Sequence, residues 1–111
     1  MSTCVLVINP GSTSTKIAVF EDEKRLFDQS LSHSSEELKN FSTVASQYEF
    51  RRKAIMDVLA EKGFDVKRLG AVVGRGGVLH PIPSGVYKVN AAMKADILLA
   101  KYGEHASNLG A

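Results

Sequence analysis

The chain opens, after three residues, on Cys4-Val5-Leu6-Val7-Ile8, a continuous apolar run rich in β-branched side chains. Such a run predicts a strand covered on both faces. The polar stretch Asn9-Pro10-Gly11-Ser12-Thr13-Ser14-Thr15 interrupts it, and Lys16 to Phe20 begins a second strand. A charged turn, Glu21 to Lys24, leads to a third strand over roughly Arg25 to Ser30, so the first thirty residues read as a three-stranded meander. Leu31 to Ser35 is polar enough for a surface connection, which puts His33 in solvent. From Ser46 to Lys62 the period changes. Apolar residues fall at Phe50, Ala54, Ile55, Val58 and Leu59, a spacing of three and four that gives one face of an amphipathic helix, and Gly63 caps it. Beyond Asp65 to Leu69, Ala71-Val72-Val73 predicts another buried strand that ends at Gly74-Arg75-Gly76-Gly77. Pro81 and Pro83 keep Leu79 to Gly85 out of regular structure. Asn90 then offers an N-cap for a helix from Ala91 to about Lys101, ended by Gly103.

The order β-β-β-α-β, then a glycine loop and a helix, is an α/β arrangement whose strand ends carry the glycine-rich loops, where α/β folds place ligands. Composition adds exclusions. The 111 residues are 44% hydrophobic and 23% charged, the balance of one globular domain. Fourteen Lys and Arg face 12 Asp and Glu, and apart from Arg51-Arg52-Lys53 the basic residues are scattered, which gives no electrostatic case for nucleic acid. Nothing approaches the ~20 apolar residues of a membrane span, and Cys4 to Ile8 is too short for a signal core, so a cytosolic protein is the simplest reading. A single cysteine excludes an internal disulfide and a cysteine-rich metal site, and Cys4 is expected in the core.

Three polar clusters carry the candidate chemistry. Asn9 to Lys16 reads either as ordinary Pro-Gly turn chemistry, its hydroxyls satisfying nearby backbone, or as a cradle for phosphate. For the cradle, Gly11 lets a ligand approach the backbone, consecutive small residues expose N–H groups that converge on an anion, and Lys16 adds charge. It is not a Walker loop, because Gly-Lys-Ser/Thr is missing and a strand follows. Gly74-Arg75-Gly76-Gly77 is either a tight strand exit with a solvated arginine or a setting in which the Arg75 guanidinium meets a carboxylate or phosphate in bidentate fashion. In Tyr102 to Gly110, His105 reads as a surface or capping residue, or as an electrophile for a phosphoryl group in transfer. His80, between Leu79 and Pro81, either fixes its loop or touches a substrate.

The stretches VLVINPGSTSTKIAVFEDE, VVGRGGVLHPIPSGVYKVN and YGEHASNLGA, in this order and spacing, closely resemble the amino-terminal part of the butyrate kinases, of the acetokinase family within the actin, sugar-kinase and heat-shock-ATPase superfamily. The helix QYEFRRKAIMDVL and the stretch SHSSEEL are similar to the same pattern. The resemblance implies a ribonuclease-H-like, actin-like ATPase domain. It also implies reversible phosphoryl transfer from ATP to butyrate, giving butyryl phosphate and ADP with magnesium, in a cleft between two halves of a full-length homo-oligomeric protein. Asn9, Gly11, Ser12, Ser14 and Lys16 inherit the ATP-phosphate site, with no metal ligand among them. Arg75 and His105 inherit the transferred phosphoryl group or the acyl carboxylate, with Asn108 as a neighbour. Val78, Leu79, Ile82 and Pro83 are candidates for an acyl pocket or plain loop anchors. The family runs to several hundred residues, so residues 1–111 are expected to be an amino-terminal portion, inactive alone, without the carboxy-terminal domain. Branched-chain fatty-acid kinases share the motifs, and a non-catalytic phosphate- or nucleotide-binding domain of the same fold is the alternative from another class.

Overall fold

A computed structural model describes residues 3–111. Strands β1 (Cys4–Pro10), β2 (Ser14–Glu21) and β3 (Lys24–Ser32) form the expected antiparallel meander. A single turn of helix, α1 (Ser35–Leu38), follows, and then α2 (Tyr48–Glu61) crosses over to β4 (Leu69–Gly74), which lies parallel to β1. A parallel neighbour needs such a crossover, whereas the hairpins of the meander need only short turns. The sheet order is β3-β2-β1-β4, and the last helix, α3 (Ala91–Leu98), lies beyond the irregular segment that leaves β4. This mixed sheet with helices packed on it is the α/β class that the element order implies.

The core sits on one face of the sheet. Cys4 and Leu6 of β1 and Ile17 and Val19 of β2 point to it by strict alternation, and Ile55, Val58 and Leu59 meet them from α2, with Phe64 closing the far end. Gly63 stops α2 with φ of 68°, the left-handed geometry of a C-terminal glycine cap. Asn90 caps α3 as expected, its Oδ1 accepting the Met93 N–H at 2.9 Å.

Several expectations are corrected. The apolar run of β1 is covered on one face only, and Val5 and Val7 on the other are half-buried. Strand β4 is not buried: Val72 is 57% exposed, because β4 is the last strand of the sheet and no described residue pairs along its outer side. Leu31 and Ser32 belong to β3. His33 is buried at 6% exposure, since the chain leaving β3 folds it in beside Thr15 and Phe50, and its N–H donates to Thr13 O at 2.8 Å. Residues Ala45–Gln47 form a 3₁₀ turn ahead of α2, which starts at Tyr48. Helix α3 ends at Leu98, short of Lys101, because Ala100 adopts φ of 50° and breaks the helical path.

Candidate functional site

Parallel pairing puts the carboxyl ends of β1 and β4 at one end of the sheet, with Ile8 opposite Gly74 and the Arg75 N–H donating to Ile8 O at 2.9 Å. Both glycine loops therefore leave from the same place. The third cluster is brought to them by packing. Residues Ala106–Gly110 form a 3₁₀ turn against β1 and β4, with Gly110 so close to Gly74 that a side chain at Gly74 would overlap the Gly110 backbone. The Gly77 N–H donates to Ser107 Oγ at 3.1 Å and the Val78 N–H to Asn108 Oδ1 at 2.6 Å, while Asn108 Nδ2 donates to Gly103 O at 3.1 Å. Asn108, buried, thus ties the two loops together.

The candidate residues separate by face. Asn9 and Lys16 pair across β1 and β2 on the face opposite the core, where they line a shallow cavity of about 380 Å³ with Val7, Ala18 and Ser30. Gly11 and Ser12 lie in the turn; the Gly11 N–H donates to Ser14 O at 2.7 Å, and a Cβ at Gly11 would stand 2.9 Å from Ser14 Oγ. The Arg75 side chain is exposed, and among the described residues nothing bonds its guanidinium. His105 caps the 3₁₀ turn: its Nδ1 accepts the Ser107 N–H at 3.0 Å and lies 2.8 Å from Ser107 Oγ. With Nδ1 as acceptor, the neutral ring carries its proton on Nε2, toward solvent. Among the described residues no hydrogen bond links Arg75 to His105; their segments are joined through the Ser107 and Asn108 side chains. Leu79, Ile82 and Pro83 line a cavity of about 680 Å³ beside Gly76 and Gly77, and Val78 packs instead on Gly103. His80 is exposed and stays with its own loop, its Nδ1 3.2 Å from Pro81 O and its ring against Tyr102.

Three buried polar residues, Arg51, Thr15 and His33, lie beneath the first loop. Arg51, 3% exposed, reaches from α2 to Gly11 O at 2.6 Å, Ser14 O at 2.9 Å and Thr15 Oγ1 at 3.3 Å through Nη1, and to Ser12 O at 3.1 Å through Nη2. Nε and Nη2 are held by Gln47 Oε1, one helical turn back. Thr15, 1% exposed, stands 2.8 Å from His33 Nε2. Because the guanidinium only donates, Thr15 Oγ1 accepts from Arg51 and its own proton goes to His33 Nε2. Burial, then the Arg51 charge, lowers the His33 pKa, with Glu37 acting weakly in the other direction, so a neutral acceptor imidazole fits the bond. Burial also lowers the Arg51 pKa, though a guanidinium stays charged. The signal for Arg51 was present: it precedes Ile55, Val58 and Leu59 by four, seven and eight residues and shares their buried face. His33, flanked by serines, offered none.

No family model matches the chain. Curated proteins do. A probable butyrate kinase of Clostridium botulinum (strain Eklund 17B / Type B) is 52% identical over 110 residues, covering 99% of this chain and 31% of that protein. Butyrate kinase 2 of Clostridium acetobutylicum is 54% identical over 106 residues, 96% of this chain and 30% of its own length. The chain is homologous to butyrate kinases. A probable butyrate kinase of Listeria monocytogenes (serotype 4b, strain F2365) matches all of it, at 51% identity over 111 residues and 31% of its length. The chain thus spans about three tenths of the length of the butyrate kinases it matches. Among the described residues no helix is long and apolar enough to cross a membrane, and no three His, Cys, Asp or Glu side chains gather to hold a metal ion.

Proposed function

We propose that this chain is the amino-terminal portion of a cytoplasmic butyrate kinase, which transfers the γ-phosphoryl group of ATP to butyrate and returns it from butyryl phosphate to ADP. The observation that carries the reading is identity of 51–54% along the chain with proteins of that name. The gathering of three polar loops at the carboxyl ends of β1 and β4 supports it.

The chemistry asks little of a base. The butyrate carboxylate is already an anion at neutral pH, so one of its oxygens attacks the γ-phosphorus directly. A carboxylate oxygen–phosphorus bond forms, the bond from the γ-phosphorus to the β,γ-bridging oxygen breaks, and ADP leaves with that electron pair. The protein has to hold two anions together and stabilise charge on the equatorial oxygens. In this reading the turn from Asn9 to Lys16 meets the ATP phosphates, with Gly11, Ser12 and Ser14 at the phosphate oxygens. The solvent-facing Arg75 guanidinium supplies the bidentate cation for the phosphoryl group or the carboxylate. His105 donates Nε2–H to the group in transfer while Ser107 holds Nδ1. Leu79, Ile82 and Pro83 offer apolar wall for a short acyl tail.

The test is acyl phosphate formation from ATP and butyrate by the full-length gene product, trapped as the hydroxamate, with Arg75→Ala in parallel. Activity that falls at least 100-fold in Arg75→Ala supports the reading. Absence of acyl phosphate from butyrate, isobutyrate and acetate alike refutes it in favour of a non-catalytic phosphate-binding domain, and faster turnover of isobutyrate moves it to the branched-chain kinases.

A further inference from the structure

The four successive carbonyls from Gly11 to Ser14 are engaged from within. Gly11 O and Ser12 O accept from Arg51, Thr13 O accepts the His33 N–H, and Ser14 O accepts from both Arg51 and the Gly11 N–H. No peptide bond among the described residues is cis. In a trans peptide the C=O and the following N–H point in opposite directions, so carbonyls drawn inward at Gly11 and Ser12 turn the N–H groups of Ser12 and Thr13 outward. Among the described residues neither of those two N–H groups has an internal acceptor. Adjacent N–H groups with a common aim make a concavity for an anionic oxygen.

Charge points the same way. Arg51 is buried among carbonyl and amide oxygens and one hydroxyl, and among the described residues no carboxylate pairs with it. A buried cation with neutral partners keeps its field, and that field reaches the outer side of the loop through protein, where screening is weak. An arginine suits the task because its planar fork spans several fixed acceptors at once; a lysine carries the charge on a single point.

We propose that Arg51 is the positioning residue of the Gly11–Thr15 loop: it holds the loop's carbonyls inward, aims the Ser12 and Thr13 N–H groups at a phosphate, and supplies the positive charge behind them. The assignment rests on the reading that this loop meets the phosphates of ATP. It gives Arg51 no contact with ATP, since the loop backbone stands between.

The test uses the full-length gene product with tripolyphosphate and ATP as probes. Calorimetry measures binding by wild type, Arg51→Lys and Arg51→Gln, and spectra of protein labelled with ¹⁵N-serine and ¹⁵N-threonine follow the Ser12 and Thr13 amides. Expected are at least tenfold weaker tripolyphosphate binding in Arg51→Lys, a larger loss in Arg51→Gln, and a KM for ATP that rises in step while the KM for butyrate stays within twofold. A merely structural role would move both KM values together. In wild type the Ser12 and Thr13 amides shift on saturation with tripolyphosphate. Unshifted amides, no tripolyphosphate binding by wild type, or equal binding by wild type and Arg51→Lys overturns the proposal. If the variants do not fold, unshifted wild-type amides still overturn the proposal. Shifted amides with weakened tripolyphosphate binding in Arg51→Lys but no acyl phosphate formation would sustain the Arg51 role and sink the kinase reading; acyl phosphate formation with unshifted amides would do the reverse.

Discussion

Replacing Gly74 by alanine probes the contact that brings the polar clusters together. A Cβ there would stand 2.7 Å from the Gly110 carbonyl carbon and 2.8 Å from its Cα, with the Gly110 oxygen closer still. All three are backbone atoms, so no side chain can rotate away. To bring the Gly110 oxygen to ordinary contact at 3.4 Å the 3₁₀ turn must withdraw by about 1 Å. Gly74 does not have a positive φ, so alanine meets no backbone strain of its own and the effect is purely one of packing. Overpacking of this kind costs about 1–3 kcal/mol. The turn carries His105 and Asn108, and a displacement approaching 1 Å at a reacting centre costs up to ~10²-fold in rate. Denaturant unfolding of Gly74→Ala, with Val73→Ala as its neighbour control, measures the first quantity, and acyl hydroxamate formation measures the second. The control removes part of a side chain already 41% exposed and is expected to change stability far less. Wild-type stability and wild-type rate in Gly74→Ala would refute the close approach of Gly74 to Gly110 and the gathering of the loops built on it.

Two further outcomes follow from buried polar groups. Asn108→Ala leaves the Val78 N–H and the Gly103 carbonyl without their partner and is expected to destabilise the protein by about 1–3 kcal/mol, read as a lower denaturation midpoint. For His33 the sign is set by its lowered folded-state pKa: above about 6.5 the imidazole is neutral folded and unfolded, and below it the unfolded chain takes up the proton first. Stability is therefore fully present above pH 6.5 and declines as pH falls, levelling off once the folded imidazole is protonated too. His33→Gln should flatten that decline in denaturation midpoints measured between pH 7.5 and 5; an unchanged slope would remove His33 as its cause.

Much of the fold was legible because local patterns coincide with the elements they name. A continuous β-branched apolar run and turn residues gave the meander, the spacing of Ile55, Val58 and Leu59 gave α2, and Gly63 and Asn90 marked ends that only particular backbone geometries permit. The chemical types of the candidate loops were legible too, since glycine beside hydroxyls or arginine limits what a loop can bind. Sequence could not say that β4 stands at an edge with Val72 in solvent, because a run of valines describes a strand and not its neighbours. Nor could it show that Gly74 touches Gly110, or that Asn108 reaches Val78 across thirty residues. Arg51 is the sharpest case. Its place on the apolar face of α2 is written in the sequence, but the carbonyls that receive its guanidinium come from a loop 37 to 40 residues earlier, and only the packing of α2 against β1 and β2 brings the two within hydrogen-bond reach. Periodicity determines which face of a helix turns inward; what it meets there, and whether a charge is satisfied by it, is decided by the tertiary fold.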